Sequence, residues 1–326
     1  MRGALSVFVV TPEGEGPRGG NRVTALRWAK RLRELGCHVR VDHAWRGEPC
    51  EVLVALHARK SHASIARHAR ERERAPRVVA LTGTDVYGEL DDPEVRASLA
   101  LATRLVALQP RALDRLAEDV RERTRVIRQA ALVAPHALPL PGFTGCALAH
   151  LRDVKDPLLA ARAVSLLPEG SQLRILHVGA ACDASWAEAA RRAEQAAHGR
   201  WSWLGALPRG EALRVLAGAR LLVLTSRSEG GANAVSEAIA AGVPVISTRI
   251  AGSLGILGDD YPGYCEVGDA ADLARRLARA ERDPSYLAEL RRRIVALQPL
   301  VAPGRERASW RALLDELGLA PCAPAP

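Results

Sequence analysis

The chain has 326 residues, room for two ordinary domains with their own cores, and its 48% apolar and 25% charged residues are the proportions of a globular protein. A formal charge of +9 raises the question of nucleic acid or an anionic membrane, yet the arginines are spread over most helical stretches and only two phenylalanines occur, so neither partner is expected. No apolar run is long enough to span a membrane, no signal-peptide pattern opens the sequence, and six cysteines without a Cys-x-x-Cys pair speak against zinc or a disulfide scaffold and for the cytoplasm.

In chain order, short apolar runs predict strands at residues 6–10, 38–41, 52–56, 78–81, 105–108 and 125–127. The loop after the first strand, residues 11–22, is glycine-rich and ends in Gly20, Asn21 and Arg22, with Asn21 a candidate N-cap. Apolar residues at 23, 26, 29, 32 and 35 predict a helix over 23–35, stopped by Gly36. His57, Arg59, Lys60 and Ser61 stand together at the end of the third strand, and Thr84 and Asp85 follow the fourth. A lone histidine such as His57 is more often structural than catalytic. The charge of the group is more telling: Arg22, Arg59 and Lys60 suit a small anionic acceptor better than a neutral sugar or a lipid.

A proline-rich break at residues 135–142 marks a linker. Strands are predicted again at 146–148, 174–178, 221–225 and 243–247. Such alternation of strand and helix predicts an α/β chain of two Rossmann-like domains, residues 1–140 and 145–303, facing a central cleft. A last helical period, residues 304–318, either crosses back to the first domain or completes the second, and residues 320–326 read as a frayed tail.

The most informative stretch is Glu229-Gly-Gly-Ala-Asn-Ala-Val-Ser-Glu-Ala238, between a buried strand and a helix ending near Gly242. Gly230, Gly231, Ala232 and Asn233 read as the first turn of that helix, where small residues let a ligand approach and unpaired amides favour a diphosphate. Glu237, about two turns on, is placed to accept from ribose hydroxyls, and Glu229 to accept from a sugar. Amides for phosphate and carboxylates for hydroxyls are the chemistry of a nucleotide sugar.

These ten residues resemble the donor-site signature of the retaining GT-B glycosyltransferases, the family-four group, and the resemblance implies a GT-B fold and a UDP-sugar as small-molecule substrate. Enzymes of that group place an arginine and a lysine after the first strand of the second domain to hold the donor diphosphate. Here that loop reads Leu148-Ala-His-Leu-Arg-Asp-Val-Lys-Asp-Pro157. Lys155 matches, the arginine is displaced to Arg152 with His150 nearer the usual position, and Ala149 replaces a glycine. Arg152, Lys155 and Glu229 are thus the candidate catalytic residues. Gly230, Gly231, Ala232, Asn233 and Glu237 are the donor-binding candidates. Gly20, Asn21, Arg22, His57, Arg59, Lys60, Thr84 and Asp85 are the acceptor-binding ones. Cations that stabilise the departing diphosphate remove the need for a metal, and no cofactor is expected.

Phrases spread over nearly the whole chain are similar to one narrower branch, the selenosugar synthases of selenoneine biosynthesis (the SenB group). They include Gly-Asn-Arg-Val-Thr-Ala-Leu-Arg-Trp-Ala at 20–29, Leu-Val-Ala-Leu-His-Ala-Arg-Lys-Ser at 53–61, Ala-Leu-Thr-Gly-Thr-Asp-Val-Tyr at 80–87 and Asp-Tyr-Pro-Gly-Tyr at 260–264, with Cys265 a departure from an aromatic residue. This resemblance implies transfer of selenium from selenophosphate to the anomeric carbon of UDP-N-acetylglucosamine or UDP-glucose, with release of UDP and phosphate. The alternative is a conventional GT-B enzyme that forms an O-glycosidic bond to a sugar or lipid. Retention or inversion at the anomeric carbon is not legible in these residues.

Overall fold

The computed structural model describes residues 4–12, 19–134 and 136–319. Part of the glycine-rich loop after the first strand, Pro135 of the linker and residues 320–326, for which a frayed tail is expected, therefore lie outside the described residues. The chain divides into two compact units: Met1–Ala130 with Glu229–Gly231 and Pro303–Pro326, and Ala131–Ser228 with Ala232–Ala302.

The first unit holds six strands, β1 (Ser6–Val10), β2 (His38–Asp42), β3 (Val52–Leu56), β4 (Arg77–Leu81), β5 (Arg104–Ala107) and β6 (Thr124–Val126). They form one parallel sheet in the order β2-β1-β3-β4-β5-β6. Its helices are α1 (Gly20–Glu34), α2 (His62–Glu71), α3 (Thr84–Tyr87), α4 (Pro93–Leu101) and α5 (Glu118–Glu122). The two-residue period of the strands decides the faces. Val7, Val9, Val52, Val54 and Leu56 enter one core, and Phe8, Val10, Leu53 and Ala55 enter the other.

The last helix of the chain (Pro303–Glu316, α13 below) packs on α1 in this first unit. Trp310 meets Trp28 edge-on with ring centroids 4.9 Å apart. The Glu306 carboxylate, 2% exposed, accepts from Arg27 Nε, Trp28 Nε1 and the Ala130 amide at 2.9, 3.0 and 3.2 Å. A buried acid with three donors on one oxygen is an anchor, and it sets where this helix sits.

The second unit repeats the plan with β7 (Thr144–Leu148), β8 (Arg174–Val178), β9 (Trp201–Trp203), β10 (Leu222–Leu224), β11 (Val245–Thr248) and β12 (Tyr264–Cys265). This sheet is also parallel, in the order β12-β11-β10-β7-β8-β9. Around it lie α6 (Leu159–Ser165), α7 (Ala184–Ala196), α8 (Arg209–Gly218), α9 (Asn233–Ala241), α10 (Ala251–Leu257), α11 (Ala270–Arg282) and α12 (Pro284–Ala296). β9 and β12 escape the sequence reading because they are three and two residues long, too short to show a period. The helix read from 229 onward starts at Asn233, and Gly242, with φ +67°, closes it in the left-handed conformation that glycine tolerates. Among the described residues no helix is long and apolar enough to cross a membrane.

Candidate active site

In each sheet the chain starts in the middle, moves to one side and returns to the other. The reversal falls between β1 and β3 in the first unit and between β7 and β10 in the second. Crevices outside the carboxyl ends of strands at such reversals are where α/β proteins bind ligands. The candidate residues follow the carboxyl ends of β1, β3 and β4 in the first sheet and of β7 and β10 in the second.

In the first unit, Gly20, Asn21 and Arg22 open α1 after β1. The N-cap is Gly19, whose carbonyl accepts from the Arg22 amide at 3.0 Å, so Asn21 lies inside the helix and is not the cap. No side chain caps this end and its first turn holds no acid. His57 follows β3 with φ +70°, a conformation rare outside glycine that stores of order 1–3 kcal/mol of strain. It is 4% exposed, its Nε2 lies 3.1 Å from Thr84 Oγ1, and its Nδ1 lies 3.8 Å from Asp85. Burial pushes the imidazole pKa below its ordinary value, and the Asp85 charge opposes that only in part.

Asp85 does not offer its carboxylate to a ligand. It is fully buried and accepts from the amides of Ala58 at 2.9 Å, Thr82 at 3.0 Å and Gly83 at 2.7 Å. It thereby ties the loops after β3 and β4 together. Arg59 also has partners within the unit, Glu89 at 3.2 Å and Asp92 at 3.1 Å, while Lys60 is exposed. One of the three cations read in this group is therefore paired inside the unit. Two polar atoms not singled out from the sequence lie nearby, Thr11 Oγ1 after β1 and Gln129 Oε1 after β6. Both are buried, with no hydrogen-bond partner among the described residues.

Gly230 and Gly231 do not form the first turn of α9: Ala232 is its N-cap, and Asn233 its first residue. A Cβ at Gly230 would lie 2.3 Å from the Thr82 carbonyl, and one at Gly231 would lie 2.6 Å from Leu108 Cβ, all within the first unit. The two glycines are required by close approach of protein to protein, main chain at Gly230 and the Leu108 side chain at Gly231. Glu229 is half-buried beside them.

In the second unit the loops after β7 and β10 are laced to one another. Thr225 Oγ1 donates to the Lys155 carbonyl at 2.9 Å, and the Arg227 amide donates to the Val154 carbonyl at 2.9 Å. Asp156, 5% exposed and with φ +38°, takes Arg162 at 3.1 Å and Arg227 at 3.4 Å. This lattice fixes the short turn Asp153–Lys155, which presents exposed Arg152 and half-buried Lys155. His150 accepts the Ala180 amide through Nδ1, which orients its ring from within the unit. Gly179 is indispensable to the arrangement, since a Cβ there would lie 1.9 Å from the Ala149 carbonyl oxygen.

Asn233 opens α9 with neither a side-chain cap nor an acid in its first turn, so the positive end of the helix is uncompensated by its own residues. Glu237 stands one turn on, not two, because the helix starts later than read. Its carboxylate is buried, and Arg209, the first residue of α8, donates to Oε1 at 2.6 Å from a half-exposed head. Nothing in the sequence pointed to Arg209, which lies 28 positions away on another helix. Arg227 stood two residues before Glu229 and was legible at least as a cation at a strand end. Among the described residues no group of three or more His, Cys, Asp or Glu is placed to hold a metal ion.

Known proteins share this architecture. HepE of Anabaena, in complex with UDP and glucose, superimposes with a TM-score of 0.77 at 15% identity over 96% of this chain and 100% of that one. Sucrose-phosphate synthase of Thermosynechococcus elongatus gives 0.78 at 14% identity, over 97% of this chain and 100% of that one. A glycosyltransferase of Rickettsia africae gives 0.71 at 12% identity, over 96% and 98%. No curated protein matches the chain. Two six-stranded parallel α/β units and these likenesses make the fold GT-B. The family described as "Glycosyl transferases group 1" matches residues 134–296, half of the chain, and the protein belongs to that family.

Proposed function

We propose that the enzyme takes its glycosyl group from a UDP-sugar and passes it to selenophosphate. The observation that carries the donor half is the second unit's switch point: the helix start at Asn233 with no acid in its first turn, cations at Arg152 and Lys155, and a buried carboxylate at Glu237. Amides and cations oppose the charge that grows on a departing diphosphate, and the carboxylate accepts ribose hydroxyls. HepE, of the same fold, holds UDP and glucose, and in another structure UDP-glucose.

The acceptor half rests on the resemblance to selenosugar synthases and on the cations of the first unit. With Arg59 engaged by Glu89 and Asp92, Arg22 and Lys60 carry the burden of holding a phosphate. Selenium of selenophosphate attacks the anomeric carbon and the carbon–oxygen bond to UDP breaks, with UDP leaving with the electron pair. Water then cleaves the selenium–phosphorus bond and phosphate departs. The nucleophile is already an anion, so no side chain has to remove a proton. One observation favours the second reading, an O-glycosidic transfer. His57, beside Asp85 and hydrogen-bonded to Thr84, is the kind of base that a hydroxyl acceptor needs.

One experiment separates these. The purified enzyme is mixed with UDP-N-acetylglucosamine or UDP-glucose and either selenophosphate or a panel of hydroxyl acceptors, and products are read by mass spectrometry. UDP with a selenium-bearing sugar is the expected result, and Arg22→Ala with Lys60→Ala raises KM for selenophosphate while UDP affinity stays. Turnover with hydroxyl acceptors alone would overturn the selenophosphate assignment.

A further inference from the structure

Glu237 and Arg209 pair a buried carboxylate with a half-exposed guanidinium, as Asp156 does with Arg162 and Arg227. Many arginine–acid pairs here join residues three or four apart on one helix face, as Arg67 with Glu71 and Arg279 with Asp283 do. Arg209 instead reaches from the first turn of α8 to a carboxylate inside the unit, among Val235, Ala238 and Ile239. Burying such a pair gains little or nothing over an apolar pair of the same shape. Glu237 has Arg209 as its one ion-pair partner among the described residues, and the bond engages Oε1. A carboxylate has about four lone-pair sites, so Oε2 keeps acceptor capacity while Oε1 is held.

We infer that Arg209 is a positioning residue that holds the Glu237 carboxylate turned so that it reads the ribose hydroxyls of a nucleoside diphosphate. This rests on the UDP-sugar reading above and adds a specificity determinant to it. The planar guanidinium donates one N–H to Oε1 in a set direction, which a lysine ammonium on its flexible stem does not reproduce. The enzyme then discriminates a ribonucleotide from its deoxy analogue through a residue that itself touches neither hydroxyl.

Calorimetric titration of UDP, 2′-deoxy-UDP, 3′-deoxy-UDP and UMP into the wild type, Arg209→Ala, Arg209→Lys and Glu237→Gln tests this, with melting temperatures measured in parallel. The wild type should prefer UDP over at least one deoxy analogue roughly ten- to a hundredfold, the size of one hydrogen bond to a charged group. Arg209→Ala should bring that ratio close to one and leave the ratio of UDP to UMP, which reports on the diphosphate, unchanged. Arg209→Lys should likewise leave that ratio close to one. If Glu237→Gln abolishes the ratio and Arg209→Ala keeps it, the donor reading stands and the role of Arg209 falls. If Arg209→Ala lowers the melting temperature with the ratio intact, the pair is structural and the inference is overturned. A wild type that does not bind UDP overturns the donor reading and this inference with it.

Discussion

Asp85 and Glu237 are both buried carboxylates beyond the ends of parallel strands, and they are held in opposite ways. Asp85 accepts from three main-chain amides, donors that cannot leave unless the loops after β3 and β4 come apart. Glu237 is held by one side chain whose head is half in water. Burial of a carboxylate is thus not by itself the mark of a ligand site. What separates the two is whether the partners can be exchanged without unfolding anything: the amides on Asp85 cannot, and the Arg209 head on Glu237 can.

The most forceful way to break this contrast is to remove Asp85. Asp85→Ala leaves three amides in the interior without an acceptor, at about 1–3 kcal/mol each. The unfolding free energy should therefore drop by at least about 3 kcal/mol in urea titration. A loss below about 1 kcal/mol would show that water or another group replaces the carboxylate easily, and the scaffold role would go.

Acid probes the same two regions through their histidines. His177 supports the loop after β7 by donating from Nε2 to the Ala149 carbonyl at 2.8 Å, and burial pushes its pKa down to about 4. The folded state resists a proton that the unfolded chain accepts. Stability is therefore complete above the ordinary value of 6.5 and is lost as pH falls toward about 4, by on the order of 3 kcal/mol. His68 in the first unit, pushed by burial to about 4, acts in the same direction, and so does His57. Urea titrations across that window should show His177→Asn losing less stability with acid than the wild type. An identical slope would mean that His177 is protonated in the folded state.

The smallest effects sharpen the other side of the contrast. Glu237→Gln and Arg59→Ala should each change stability by less than about 1 kcal/mol in thermal melting, because the arginine heads they concern are about half solvated. A large loss from Glu237→Gln would place that carboxylate with Asp85 among the anchors.

Much of the fold was legible because its signal is local. β1, β3 and β8 lie where the apolar runs put them, and the positive φ of Gly36 and Gly242 follows the rule for helix ends. The site was legible as residue types at strand ends, since the alternation of strand and helix already says which loops lie beyond the sheet. It was not legible as partnerships. Arg59 read as a free cation and is engaged by two acids, Asp85 read as a ligand and is an anchor, and Arg209 was not read at all.

The sequence by itself determined two parallel α/β sheets, the glycosyltransferase signature from Glu229 to Glu237 and the gathering of cations near Lys155. Tertiary structure alone decided that residues 229–231 belong with the first unit, that the last helix (α13) docks on α1, and which carboxylate is locked and which can exchange its partner. The physical reason is one of range. Hydrophobic period and helix stops are written over a few residues, whereas an ion pair or a close main-chain approach depends on sheet order, which brings together groups tens to hundreds of residues apart.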